Sequence, residues 1–314
     1  MTSTFNSAKI IRAFTSSLSP NKSAVNVMAE VLHVSVDVAY RRLNGKVDIT
    51  LDEAVKLCEY SSLSMDKVFE LKENEVYFSH LNLYNPYDAV LSGELTSFIN
   101  NHILIKKDDT LYLASAGFPV GYLFSEPNLI HFRRYHLLND KTCFEMLKPF
   151  SIDRLRVHTV FNEELEKLYQ GVDTCEFWCE NTFSDLIGEI KYYKSLGLLS
   201  VEETKTLIND FKRLLHKMEN FAEEGKKKLG GAFELYVVPY NISSSVYLST
   251  CPERKICFLE MNFLDYAYTT NEDFCNKQKK WFKRLMNYST CISKSNLKER
   301  RSFFEKVHEK LDGI

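Results

Sequence analysis

Residues 5–71 hold five apolar stretches at helical spacing, each short and each cut off by a capping or breaking signal. Helices of that length do not persist alone in water, so their apolar faces must be buried against one another. The front of the chain is therefore a small helical bundle. Ile10, Ile11, Phe14 and Leu18 form the first stripe, and "SPNK" breaks it. Val25, Met28, Ala29 and Leu32 form the second, starting near Ser23. Ser35 can cap a third helix whose inward residues are Ala39 and Leu43, and "NGK" ends it. Thr50 and Glu53 make a T-x-x-E capping box ahead of Ala54, Val55 and Leu57. Ser64 opens the fifth helix, closed by Val68, Phe69 and Leu71.

The second and third helices, joined through His33-Val34-Ser35, read as a helix-turn-helix. With Ala39 and Leu43 inward, Val36, Asp37, Tyr40, Arg41 and Asn44 point outward. Residues near the start of such a recognition helix reach base edges in the major groove of double-stranded DNA. Arginine suits guanine, Asp37 can accept from cytosine, and Val36 can touch a thymine methyl. Arg42, Lys46 and the amide ends of helices would hold phosphates. The candidate DNA-binding residues are Ser35, Val36, Asp37, Tyr40, Arg41, Arg42, Asn44 and Lys46. A homodimer would double the positive face and supply two half-site contacts. Residues 1–50 carry six Lys/Arg against three acids, which is 6 − 3 = +3. That is low for a DNA binder, and a protein-interaction adaptor using the same module stays open as the alternative.

The stretch "MAEVLHVSVDVAYRRLNGKVDITLDEAVKLCEYSSLSMDKVFEL" resembles the phage-repressor-like helix-turn-helix of bacterial transcription regulators. Within that group it is most similar to the BetR-type domain, whose members often show Tyr-Arg-Arg-aliphatic-x-Gly in the recognition helix. Ala29, Val34, Ser35, Ala39, Leu43 and Gly45 fall on framework positions. His33 departs from the pattern, standing at a tight turn where repressors commonly use Gly; His tolerates the left-handed conformation at modest cost. The resemblance covers about a quarter of the chain and implies sequence-specific DNA binding.

Residues 1–72 are thus expected as the DNA-binding domain, 73–84 as a linker and 85–314 as a larger domain. "TLYLASA" (110–116) reads as a strand. Phe183, Leu186, Ile187 and Ile190 form a stripe ending at Gly197. Ser200 and Glu203 repeat the capping box, and Leu207, Phe211, Leu214, Leu215, Met218, Phe221 and Ala222 continue one apolar face. These two helices make a hairpin, in a core or a dimer interface. "FELYVVPY", "SSSVYLST" and "KICFLEMNFLDYAYTT" read as an antiparallel meander, followed by helices with Trp281, Phe282, Leu285, Met286 and then Phe303, Phe304, Val307, Leu311 inward. The expected fold class is mainly α: a five-helix front domain, then an α+β domain with a helical hairpin and a small antiparallel sheet. The back region is also similar to long bacterial regulators with "EFW", "YYKSLG" and "STCIS"-like stretches, which implies a regulator without naming a ligand. It would dimerise and sense a small-molecule or peptide effector.

Charge is uneven. Asn276–Lys310 holds eleven Lys/Arg against three acids, 11 − 3 = +8, and residues 162–210 hold four lysines against eleven acids, 4 − 11 = −7. The two regions can neutralise each other, or the tail can face phosphates. No apolar run reaches the ~18 residues that span a bilayer, and eight scattered cysteines fit reduced thiols, so a soluble cytoplasmic protein is expected. Cys175 and Cys179, at i and i+4, would share a helix face but lack the further ligands a metal needs. His131 and His136 show no carboxylate partner in sequence, and Arg133 and Arg134 read as a solvated pair. Phosphate-loop, dinucleotide and hydrolase motifs are missing, so no enzyme activity and no cofactor are expected.

Overall fold

The computed structural model describes residues 7–19, 22–61, 63–69, 75–82, 105–106, 108–141, 148–152, 159–263 and 265–314. The chain divides into two compact units, Met1–Tyr77 and Phe78–Ile314. In the first, α1 (Ser7–Ser17), α2 (Ala24–Leu32), α3 (Val36–Leu43), α4 (Leu51–Tyr60) and α5 (Met65–Phe69) enclose one core. Ile10, Phe14, Met28, Ala39, Ala54 and Leu57 are fully buried there. The Ser7 hydroxyl accepts from the Ile49 N–H (3.0 Å) and donates to Asp48 (3.1 Å), which ties the α3–α4 connection to the start of α1. Leu71, expected to close α5, lies outside the described residues.

The second unit contains β1 (Ser79–Asn82), β2 (Thr110–Ala114), α6 (Val120–Leu123), α7 (Pro127–Lys141), α8 (Thr159–Gly171) and β3 (Asp173–Trp178). There follow α9 (Ser184–Ser195), α10 (Val201–Glu224), β4 (Phe233–Val237), β5 (Val246–Cys251), β6 (Arg254–Asn262), β7 (Asp265–Thr269), α11 (Glu272–Tyr288), β8 (Thr290–Cys291) and α12 (Leu297–Asp312). All eight strands join one sheet in the order β1-β7-β6-β5-β2-β3-β4-β8. Strands β2, β3 and β4 run parallel, and the remaining pairings are antiparallel.

This corrects the expectation of a mainly α protein with a small antiparallel sheet: the sheet is large and mixed. The meander covers β5, β6 and β7, but "FELYVVPY" supplies β4, which pairs with β3 in parallel. "TCEFW" is strand, not helix, and Cys179 follows it outside any helix, so Cys175 and Cys179 do not share a helix face. A strand buried on both faces shows no alternation, and its continuous apolar run reads equally well as helix. Part of the expected linker, Ser79–Asn82, is the β1 edge strand, paired with β7 from Ser79↔Tyr268 onward.

Side-chain alternation sorts the sheet into two faces. Leu111, Leu113, Trp178, Phe233 and Leu235 pack under α6–α10 and α12, whereas Ala114, Phe177, Leu248 and Cys257 pack under α11 through Phe282 and Leu285. In the middle of the helix-rich face Glu176 is fully buried. Its carboxylate accepts from the Tyr122 hydroxyl (3.2 Å), the Tyr169 hydroxyl and the Trp178 indole (3.1 Å). Gly121 permits this approach, since a Cβ there would sit 2.7 Å from the Tyr169 ring. Lys227, also buried, lies 4.3 Å from the Tyr169 ring centroid; loss of water lowers its ammonium pKa to about 8 although Glu176 opposes the shift.

Candidate nucleic-acid interface

The turn between α2 and α3 is built from the chain's own carbonyls. The His33 N–H donates to Glu30 (3.2 Å) and the Val34 N–H to Ala29 (3.0 Å), the paired bonds that end a helix on a left-handed residue. His33 supplies that residue, at φ 55 and ψ 45. The Ser35 hydroxyl then accepts from the Val38 N–H (3.4 Å) and starts α3. At its far end the Gly45 N–H reaches Arg42 and the Lys46 N–H reaches Arg41, both at 2.9 Å, with Gly45 at φ 66. Eight residues, roughly 12 Å of helix, are held between two such stops.

Ala39 is the buried anchor of α3, and Leu43 packs partly on the same core. Ser35, Val36, Asp37, Tyr40, Arg41, Asn44 and Lys46 are exposed. Val36 is 55% and Tyr40 52% exposed, high values for apolar side chains on so short a helix. The Asn44 side-chain amide donates to the Tyr40 carbonyl (2.9 Å), so its nitrogen caps the helix end. The outer face thus brings together acceptor, methyl, phenol and guanidinium groups, chemistry suited to base edges.

Arg42, expected at a phosphate, turns back instead. Its guanidinium is bidentate on Glu53, 2.6 and 3.1 Å, with about 15% of each side chain exposed. Glu53 is at the same time the third residue of α4, accepting from the Thr50 N–H (2.9 Å) while its own N–H reaches the Thr50 hydroxyl (3.3 Å). Burial raises the Glu53 carboxyl, but Arg42 and the Thr50 N–H outweigh it and hold the pKa below the usual value. Arg42 therefore fixes α3 against α4. A T-x-x-E box with an arginine upstream was visible in sequence; which side of α3 the arginine takes was not. On α4, Ala54 and Leu57 are buried as expected, but Val55, read as a packing residue beside them, is 37% exposed and lies four residues from Leu51, 60% exposed and not singled out in the sequence pattern.

Other candidates resolve into structure. His131 bonds the Ser151 carbonyl (3.1 Å); His136 bonds the Tyr193 hydroxyl (3.1 Å) and lies 3.4 Å from Glu189, a carboxylate partner that sequence did not reveal. Arg133 is no solvated residue: it pairs with Glu189 and, at 3.5 Å, with Asp185. Among the described residues no group of three or more His, Cys, Asp or Glu is placed to hold a metal. No described helix is long and apolar enough to cross a membrane. A cleft of about 630 Å³ lies at the carboxyl ends of β3 and β4, with Val238, Ile292 and Phe303 in its floor and Glu180, Glu299 and Lys306 at its rim. Comparison with protein families, curated proteins and solved structures gives no match.

Proposed function

We propose that the chain is a sequence-specific DNA-binding regulator that reads base edges with the outer face of α3 and acts as a homodimer. The observation that carries this reading is the exposure of Val36, Asp37, Tyr40 and Arg41 on a short helix capped at both ends and anchored through Ala39. An apolar and a phenolic side chain kept in water beside the exposed Arg41 guanidinium, which has no ion-pair partner among the described residues, gain most from a partner with alternating polar edges and methyl groups. Lys46 and the Ser35 end of α3 would hold phosphates. Residues 78–314 would dimerise and, through the cleft beyond β3 and β4, take a small-molecule or peptide effector. An effector preferring one spacing of the two recognition helices would couple the site to DNA binding.

Selection of random duplexes by the purified chain tests this. A selected two-fold-symmetric site is expected, with Arg41→Ala losing about 1–3 kcal/mol of discrimination at one base position. Retention of all duplexes equally by the wild type, with no site enriched, would overturn base reading. The second reading, an adaptor, draws on the exposed Leu51 and Val55 of α4, which could seat a protein. In that case Leu51→Asp would remove partner binding while Arg41→Ala left it intact.

A further inference from the structure

The tail's eleven cations are put to different uses. On α12, Arg300 is buried and donates to the carbonyls of Ile292 (3.1 Å) and Lys294 (3.0 Å), and Lys310 donates to that of Glu180 (3.0 Å). Glu299, Glu305 and Glu309 are interleaved with the others. Helix α11 differs. Lys277, Lys279, Lys280, Lys283 and Arg284 fall within eight residues, and no acid follows Asp273 on that helix. Among the described residues none of the five side chains makes an ion pair or a hydrogen bond. Lys255, on β6, takes the nearest pairing, with Asn276 (2.8 Å) and Glu272 (3.9 Å), at the start of the helix.

The acidic middle of the chain does not neutralise this row. Three of its eleven carboxylates are engaged elsewhere: Glu166 with Lys217, Glu189 with Arg133, Asp210 with Arg213. These three stand on α8–α10, which cover the sheet face opposite α11, so the sheet lies between them and the row; Asp173, on β3, accepts from the Ala232 N–H (2.7 Å). Burial of Cys275, Phe282 and Leu285 fixes α11's rotation and turns Lys277, Lys280, Lys283 and Arg284 to solvent.

We infer that this outer face of α11 is a second, sequence-blind DNA contact that holds phosphates; the inference rests on the DNA-binding reading above. Lys277, Lys280 and Arg284, at i, i+3 and i+7, place charges roughly 5 Å apart along one line. That pitch suits a polyanion of closely repeated charge, such as duplex DNA with one charge per ~1.7 Å, and not a single small anion. A membrane anchor would need an apolar face outward, whereas Phe274 and Trp281 pack on the sheet side and Tyr288, at the last position of α11, is its one large exposed aromatic among the described residues.

The test compares the full-length wild type, Arg41→Ala and the triple variant Lys277→Ala, Lys280→Ala, Arg284→Ala on a selected duplex and an unrelated one, across a salt series. Thermal unfolding of each variant verifies its fold. The triple variant should lose affinity for both duplexes by the same factor, and its log-affinity slope against log salt should fall by about 2.7 per protomer, ~0.9 for each phosphate contact. Arg41→Ala should instead lose discrimination with the slope nearly kept. A triple variant matching wild type in slope and affinity overturns the inference while leaving base reading in place. Wild type that ignores all duplexes but binds acidic vesicles through these lysines overturns both.

Discussion

Glu189 shows how burial reshapes one side chain. Only 14% of it is exposed, and loss of water pushes its carboxyl up to about 7 although Arg133 opposes the shift. The Arg133 guanidinium is also raised: burial disfavours its charge, but Glu189 and Asp185 outweigh that and keep it firmly protonated. A raised carboxyl binds its proton more tightly folded than unfolded, so stability is fully present below pH ~4.5 and is lost as pH rises towards about 7. The wild type should lose up to about 3 kcal/mol from this group across that window, at ~1.4 kcal/mol per unit. Glu189→Gln should flatten that part of the curve, as read by urea unfolding at pH 5 and pH 7.5. An unchanged slope in the variant would place the titration elsewhere. His33 and Arg42 show the limits of reading single residues. The left-handed turn at His33 was legible, because glycine's usual place was occupied by a residue that tolerates it. The direction taken by Arg42 was not, since both α3 faces accept an arginine and only the position of Glu53 decides.

Between elements, Glu53 is the joint. One carboxylate completes the α4 capping box and receives the α3 guanidinium, so the angle between recognition helix and bundle hangs on it. Glu53→Ala should cost the first unit roughly 1–3 kcal/mol, because it removes a helix cap and leaves Arg42 half-buried without a partner. Glu53→Gln, which keeps an acceptor for the Thr50 N–H, should cost less. Denaturant unfolding followed by far-UV circular dichroism measures both; equal stability of all three proteins would mean that Arg42 is free to face a ligand. Capping signals at Thr50 and Ser200 were readable because they are local, with all partners inside four residues. Strand β3 was not, because what makes it a strand is its neighbours β2 and β4, both reached across more than fifty residues of chain.

At the level of the whole molecule, the two units have separate cores. Ile10, Phe14, Met28 and Leu57 close the first, and among the described residues none of the sheet unit belongs to that cluster. A fragment spanning residues 1–77 should therefore fold alone and melt cooperatively, as many domains near this size do. Thermal unfolding by circular dichroism checks this, and a broad non-cooperative loss of helix would show that the first unit depends on the second.

The sequence by itself determined the helices of the first unit, their caps, the outward stripe on α3 and the basic run in α11, since period, punctuation and charge are short-range properties. Tertiary structure alone decided that a large mixed sheet organises the rest, that Arg42 locks two helices together and that the acidic helices α8–α10 lie across the sheet from α11. Strand pairing, ion-pair choice and the side of a sheet on which a helix lands are settled by residues far apart in the chain, and no local pattern carries them.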